Sequence, residues 1–333
     1  MRNQAEGESQ DLNRRDFLRT AAGAGAAMVL PGCWLSPVGD HGLTAAAAIL
    51  RAAYDQSLAK VIETGFDLVP PPDVRGKRVL LKPNLVDLPR EGKPVLTNPA
   101  VIVAAAEAFR RRGAAEVIVA DGPALQRDAW QIVDAAGLTP LLAEHGLEFI
   151  DLNHADVRVV PNGGNLTGLE TLYCSVPVLE ADVVVSIPKM KVHHWAGVTL
   201  SMKNMFGTLP GQVYGWPRNF FHLRNFNDSV LDFNLTTPPD YAIIDGIVGL
   251  EGDGPIRGTP IEVGVIIMGV NAPAVDATAA RVMGIRPENV EHLRRAAGWL
   301  GPIGESSIEQ RGETIASVRR PFQLLAHQSA LAM

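Results

Sequence analysis

The sequence predicts an α/β protein built on a mixed, mainly parallel sheet covered by helices. Three observations lead there. Short apolar runs of buried-strand type alternate with helical patterns at short spacing, the signature of helix-covered parallel sheets. No internal repeat, heptad run or low-complexity tract follows the N-terminus. And the roughly 300 residues left after an N-terminal leader suffice for one large core or two intertwined lobes.

The elements read as follows. Residues 43–62 form an Ala-rich helix, stopped by Pro70-Pro71-Pro72. Residues 78–82 are a buried strand ending in Pro83-Asn84. Asn98 caps a helix that has Pro99 at its first position and Gly113 as its stop. A strand over 116–120 ends in Asp121-Gly122-Pro123; a helix over 128–136 and a strand over 148–152 follow. Strands over 171–178 and 181–188 are separated only by Leu179-Glu180. Further strands cover 241–245 and 262–268, and helices cover 273–283 and 289–297. The Gly- and Pro-rich stretch 207–217 reads as a surface loop, either a lid or a plain connector.

The N-terminus is a leader. Asn13-Arg14-Arg15-Asp16-Phe17-Leu18-Arg19 has the paired arginines, Phe-Leu and following base of a twin-arginine signal. The apolar stretch 21–30 is too short to span a bilayer and has the length of a signal core. Leu30-Pro31-Gly32-Cys33 resembles a lipobox, with Pro31 a departure from its usual residues; an alternative cut lies in the run Ala45-Ala46-Ala47-Ala48. The product is a membrane-anchored lipoprotein in the first case and a free periplasmic protein in the second. The expected division is a signal peptide over 1–33, a helix and linker over 34–77, and one α/β domain over 78–325.

Charge and cysteines exclude several classes. The net charge is −6, and residues 1–33 carry as many acids as bases, which argues against a nucleic-acid partner. Only Cys33 and Cys174 occur, so this chain supplies no iron–sulfur cluster, structural zinc or internal disulfide.

Ligands of open α/β sheets bind at the carboxyl ends of strands. Four predicted strand ends carry polar residues that core packing does not require: Lys82 with Asn84, Asp121 with Gly122, the run Lys189-Met190-Lys191-Val192-His193-His194, and Asp245-Gly246 leading to Glu251 and Asp253. Lys82, Asn84, Asp121, Lys203 and Asn204 are the candidate ligand-holding groups for a small anion. Lys189, Lys191, His193 and His194 are the candidate catalytic groups, with a histidine as proton carrier or a buried lysine as base or nucleophile. Adjacent histidines in a strand face opposite sides, so only one faces the site unless the chain turns there. Asp245, Glu251 and Asp253 sit among glycines, where carboxylates either hold a divalent cation or make turns. Asp276 reads as a first-turn helix-dipole contact.

The motifs Lys82-Pro83-Asn84-Leu85-Val86, Thr97-Asn98-Pro99, Val119-Ala120-Asp121-Gly122, Pro188-Lys189-Met190-Lys191 with His193-His194, residues 198–207 and Asp245-Gly246 occur in an order that resembles the domain of unknown function 362 family over residues 78–320. Members often accompany ferredoxin-like modules, whose cysteines are absent here. The resemblance implies a fold similar to that of the nickel-pincer lactate racemase family, with Lys189, Lys191, His193 and His194 comparable to its lysine and histidines near a strand end.

The expectations are ordered: an exported enzyme acting on a small anionic molecule by Lys/His proton transfer, then a metal or cofactor carrier or redox partner, then a non-catalytic binding module. The expected partners are the twin-arginine export machinery and the anion. A divalent metal is the cofactor that the carboxylates allow.

Overall fold

The structure, a computed structural model, describes residues 42–123, 128–215, 219–223 and 225–333. The twin-arginine segment and Cys33 lie outside the described residues.

Twelve strands form among the described residues: β1 (Ala45–Arg51), β2 (Arg78–Pro83), β3 (Glu116–Asp121), β4 (Glu148–Asp151), β5 (Val157–Pro161), β6 (Thr171–Ser175), β7 (Val183–Ile187), β8 (Lys189–His193), β9 (Gly197–Thr199), β10 (Tyr241–Glu251), β11 (Thr259–Gly269) and β12 (Ile308–Gly312). Ten make one sheet, ordered β12-β1-β11-β10-β7-β2-β3-β4, with β8 pairing β10 and β9. From β10 through β7, β2 and β3 to β4 every pairing is parallel, and β11 pairs antiparallel with both β10 and β1. The predicted fold class is therefore the observed one. β5 and β6 form a separate antiparallel pair.

Helices α1 (Leu58–Leu68) and α2 (Pro99–Arg111) cover one face; α3 (Ser201–Asn204), α4 (Phe226–Thr236) and α5 (Ala272–Val282) pack on the other. Strand alternation divides the core: Ile266 and Met268 of β11 join the first cluster, Val265 and Ile267 the second. Phe66 and Phe109 are fully buried with ring centroids 4.9 Å apart, each contributing about 1.5–3 kcal/mol of burial. The predicted α2 start is accurate: Asn98 Oδ1 accepts from Ala100 N and Pro99 begins the helix.

Three expectations are corrected. The Ala-rich stretch is not a helix: it forms β1, and the helix begins only at Leu58. Alanine's helix preference is weak against tertiary context. Here the small side chains let α5 sit close on the strand, with Ala47 packed against Ala274 and Ala277. β1 is paired on both sides, so a signal cut at Ala45-Ala48 would sever a strand inside the sheet. Residues 171–188 are not a two-strand unit. A short helix at Val176–Glu180, with Pro177 in its first turn, sends β6 to β5 and β7 to the main sheet. Finally, β10 does not end at Asp245-Gly246 but runs to Glu251, which places Asp245 inside a strand.

Candidate functional site

β7 lies between β2 and β10, and Pro188 then carries the chain across to β8, which pairs with the outer half of β10. The carboxyl ends of β2 and β3 and the strand β8 thus converge on a cavity of about 500 Å³. A cavity this size suits a small organic ligand.

Its floor is a fixed polar knot. Lys82 Nζ is 2.7 Å from Asp121 Oδ1 and donates to Asn204 Oδ1 and Pro83 O at 2.8 Å. Asp121 also accepts from the backbone N–H of Leu85 and Gly122. Both members of the pair are 1–3 % exposed, so their charges compensate each other rather than a ligand. Gly207 crosses directly over this pair: a Cβ there would lie 2.5 Å from Asp121 Oδ1 and 2.6 Å from Lys82 Nζ. Gly207 is therefore part of the cavity wall, and Thr208 and Leu209 behind it are buried, which corrects the surface-loop reading; residues 216 and 217 lie outside the described ones. Asn84 donates from Nδ2 to Asn204 Oδ1 at 3.2 Å, while its buried Oδ1 has no hydrogen-bond partner.

β8 supplies the reactive wall. Lys191 and His193 stand two residues apart on one strand face and both line the cavity. Lys191 Nζ is buried and donates to Val95 O at 2.7 Å. Burial, reinforced by the charges of Lys203, Lys189 and Lys82, holds its pKa well below the ordinary lysine value. The chain turns over residues 194–196 and re-enters as β9, with Gly197 at φ +78 closing a three-residue hairpin loop. This turn is why His194 lines the cavity beside His193 although the two are adjacent.

The backbone fixes opposite tautomers on the two rings. His193 Nδ1 accepts from the N–H groups of Trp195 and Ala196, both at 3.1 Å, so the neutral ring carries its hydrogen on Nε2. Burial first, then the charge of Lys203, keeps His193 neutral by pushing its pKa well below the usual value. His194 Nδ1 lies 2.7 Å from Gly254 O, which can only accept, so Nδ1 carries a hydrogen and the neutral form of the ring has its lone pair on Nε2. The C-terminal segment braces this turn from behind, Gln328 Nε2 donating to His193 O at 2.8 Å and His327 Nε2 lying 3.1 Å from His194 O.

Lys203 Nζ sits 4.4 Å above the Phe206 ring and 5.4 Å from that of Phe226, a cation–π arrangement at the cavity wall. Its helix α3 is capped by Asp276, whose carboxylate accepts from Ser201 N at 2.7 Å and Met202 N at 2.8 Å. The carboxylate serves a neighbouring helix, not the dipole of its own, which corrects the sequence reading. Burial pushes Asp276 up to about 7, against the two N–H donors that favour the charged form. The native carboxyl then keeps a proton that the unfolded chain, with a value near 3.8, releases. Stability drawn from this residue accordingly falls as pH rises from about 4 to about 7 and is flat above. Asp276→Asn is expected to shrink the difference between urea midpoints at about pH 4.5 and about pH 7.5; an unchanged difference would refute the assignment.

Three of the residues predicted for the site lie apart from the cavity lining. Lys189 pairs with Asp245 at 2.9 Å, both essentially unexposed, and donates to Tyr54 OH at 2.7 Å. Asp245 also accepts from Tyr54 OH and from the N–H of Asn98 and Ile247. Burial and the Asp245 charge push the Tyr54 hydroxyl far above its usual value. Glu251 accepts from Gln323 N at 2.8 Å. Of the proposed cation ligands only Asp253 lines the cavity, and no three His, Cys, Asp or Glu side chains group as a cation site among the described residues. Glu251 ends β10, and Asp253 lies in the bend that follows it.

Sequence reasoning missed Tyr54, Thr199, Phe206, His222 and the apolar wall of Val86 and Ile256. Thr199 was findable, since it alternates with Val198 on the strand returning from the histidines. Nothing in the sequence marked His222 or Ile256.

A twin-arginine translocation signal profile matches residues 11–31, which indicates export across a membrane by that machinery. Among the described residues no helix is long and apolar enough to cross a membrane. A thylakoid-associated protein of Synechocystis sp. is 29 % identical over 221 residues, covering 65 % of each chain. Among solved structures, the lactate racemase apoprotein of Thermoanaerobacterium thermosaccharolyticum aligns with TM-score 0.46 at 12 % identity, over 74 % of this chain and 59 % of that one. A protein of Thermotoga maritima aligns with TM-score 0.31 at 12 % identity, over 60 % and 52 %. The profile of the domain of unknown function (DUF362) matches residues 79–281, the stretch from β2 through α5 that builds the cavity, and the chain belongs to that family.

Proposed function

We propose that this protein is an exported enzyme that binds a small organic anion in the β2–β3–β8 cavity and moves a proton with His194. The observation that carries the reading is the pair of opposite tautomers beside a buried, under-compensated lysine. His194 Nε2 offers a lone pair and acts as base. His193 Nε2–H is a hydrogen-bond donor that stays neutral, suited to an anionic oxygen or to charge that develops on one. This divides a role that sequence reasoning assigned to either histidine. Lys203 supplies positive field, Lys191 is a buried amine on which an anion stabilises the charged form, and the Lys82–Asp121 knot with Asn204 fixes the floor.

The test is proton NMR of small 2-hydroxy- and 2-oxocarboxylic acids incubated with the protein in deuterium oxide. Deuterium is expected to enter at C2 of a 2-hydroxy acid, or at C3 of a 2-oxo acid next to its carbonyl, and His194→Gln is expected to slow the exchange by at least about 100-fold. Tight binding without exchange of any carbon-bound or product-forming proton would leave a binding protein and overturn the enzyme reading.

Delivery is proposed to end on the outer side of the cytoplasmic membrane, with Cys33 as a lipid anchor. The placement of Ala45–Ala48 inside a paired strand supports processing upstream of that run. Cys33→Ala is expected to move the protein from the membrane fraction to the soluble periplasmic fraction; an unchanged distribution would refute the anchor.

A further inference from the structure

The cavity has two unlike walls. One is polar, lined by Lys191, His193 and Lys203, whose side chains carry donor groups. The other is apolar and aromatic, made by Val86, Ile256, Phe206 and Trp195. Phe206 and Trp195 are joined through the His222 ring, at 5.2 and 5.5 Å between centroids. Trp195 is 66 % exposed, a large apolar ring left at the cavity mouth. An inorganic anion satisfies the polar wall and leaves this face bare. About 500 Å³ is also far more room than such an ion requires.

The polar wall is not purely donor. Asn84 Oδ1 is buried without a partner, and its amide orientation is set by the Nδ2 bond to Asn204 Oδ1. Thr199 Oγ1 is likewise buried and unpartnered, and both residues line the cavity. An orphaned buried acceptor is destabilising unless something donates to it. The ligand that satisfies all of these groups at once carries an anionic end, a donor and a flat apolar body.

We infer that the ligand of this cavity is an aromatic carboxylate bearing a hydroxyl group. Its carboxylate lies on Lys191 and the His193 Nε2–H, its hydroxyl donates to Asn84 Oδ1, and its ring lies against Phe206 and Trp195. The inference rests on the proposed function, in which the cavity takes a small organic anion, and it names the class.

Titration calorimetry on the full mature protein, with Trp195 fluorescence as a second readout, tests it. The probes are a hydroxynaphthoate, the naphthoate without the hydroxyl, acetate and inorganic phosphate. The hydroxynaphthoate is expected to bind about tenfold more tightly than the naphthoate, because without the hydroxyl Asn84 Oδ1 stays buried and unpaired beneath the ligand. Acetate and phosphate are expected to bind at least about 100-fold more weakly than the hydroxynaphthoate. Trp195→Ala, at an exposed position, is expected to weaken the aromatic probes alone, and Lys191→Met to weaken every anion. Acetate or phosphate binding as tightly as the aromatic acids, still dependent on Lys191, would overturn the aromatic class and leave the small-anion reading standing. No Lys191-dependent binding of any probe would overturn both.

Discussion

Lys189→Met is expected to cost about 3–5 kcal/mol of stability, the largest effect of any single substitution considered, without Lys189 touching a ligand. The residue is paired with Asp245 at 2.9 Å and both are buried. Removing the ammonium leaves Asp245 as a buried carboxylate held only by Tyr54 OH and backbone N–H groups. Burial draws Lys189 below the ordinary lysine range while the Asp245 charge opposes that shift, so the pair exists because each partner is there. Urea unfolding of the single variants and of Lys189→Met/Asp245→Asn forms a double-mutant cycle. The double variant is expected to be more stable than the single Lys189→Met variant, since an amide keeps an acceptor for Asn98 N without a charge. Strictly additive losses would show that the two residues do not act as a pair.

How far the sequence could be read follows from the range of the forces involved. The start of α2 was legible to the residue because its signals, the Asn98 cap and Pro99, are local. The parallel centre was legible because buried strands show as apolar runs between turns. β1 was not. An alanine run is a helix signal locally, and only the approach of α5 across the sheet makes small residues useful in a strand there. The same limit governs the site. Polar residues at the ends of β2, β3 and β8 could be named from the strand pattern, and nine of the twelve named residues, Lys82 through Asp253, line one cavity. Yet Lys189 and Lys191 are indistinguishable in sequence. Asp245 is contributed by a strand 56 positions away from Lys189 and neutralises it alone. Nor could spacing assign the histidine tautomers, which depend on where the N–H of Ala196 and the carbonyl of Gly254 fall after folding.

Lys191 is the converse case, and anion binding is expected to draw a proton onto it. In the unliganded protein the amine is buried and has Val95 O as its hydrogen-bond acceptor. Lys203, Lys189 and Lys82 all disfavour its charged form, and only the more weakly acting Asp121 favours it. A carboxylate placed against it stabilises the ammonium, so its pKa in the complex is higher than in the free protein. Between those two values binding takes up one proton. Affinity is then greatest at the acid side of that window and falls by about tenfold per pH unit as pH rises through it. Calorimetry in buffers of different ionisation heats reads the proton directly. About one is expected for the parent protein near the middle of the window, and about none for Lys191→Met, which should bind at least about 100-fold more weakly. The same variant is expected to unfold at equal or higher urea concentration, because a methionine removes a buried amine that lacks a counter-ion. Loss of binding with gain of stability would separate Lys191 from Lys189 as the residue that serves the ligand. Binding without proton uptake would mean that the amine is already charged, and that the field of Lys203 and Lys82 does not govern it.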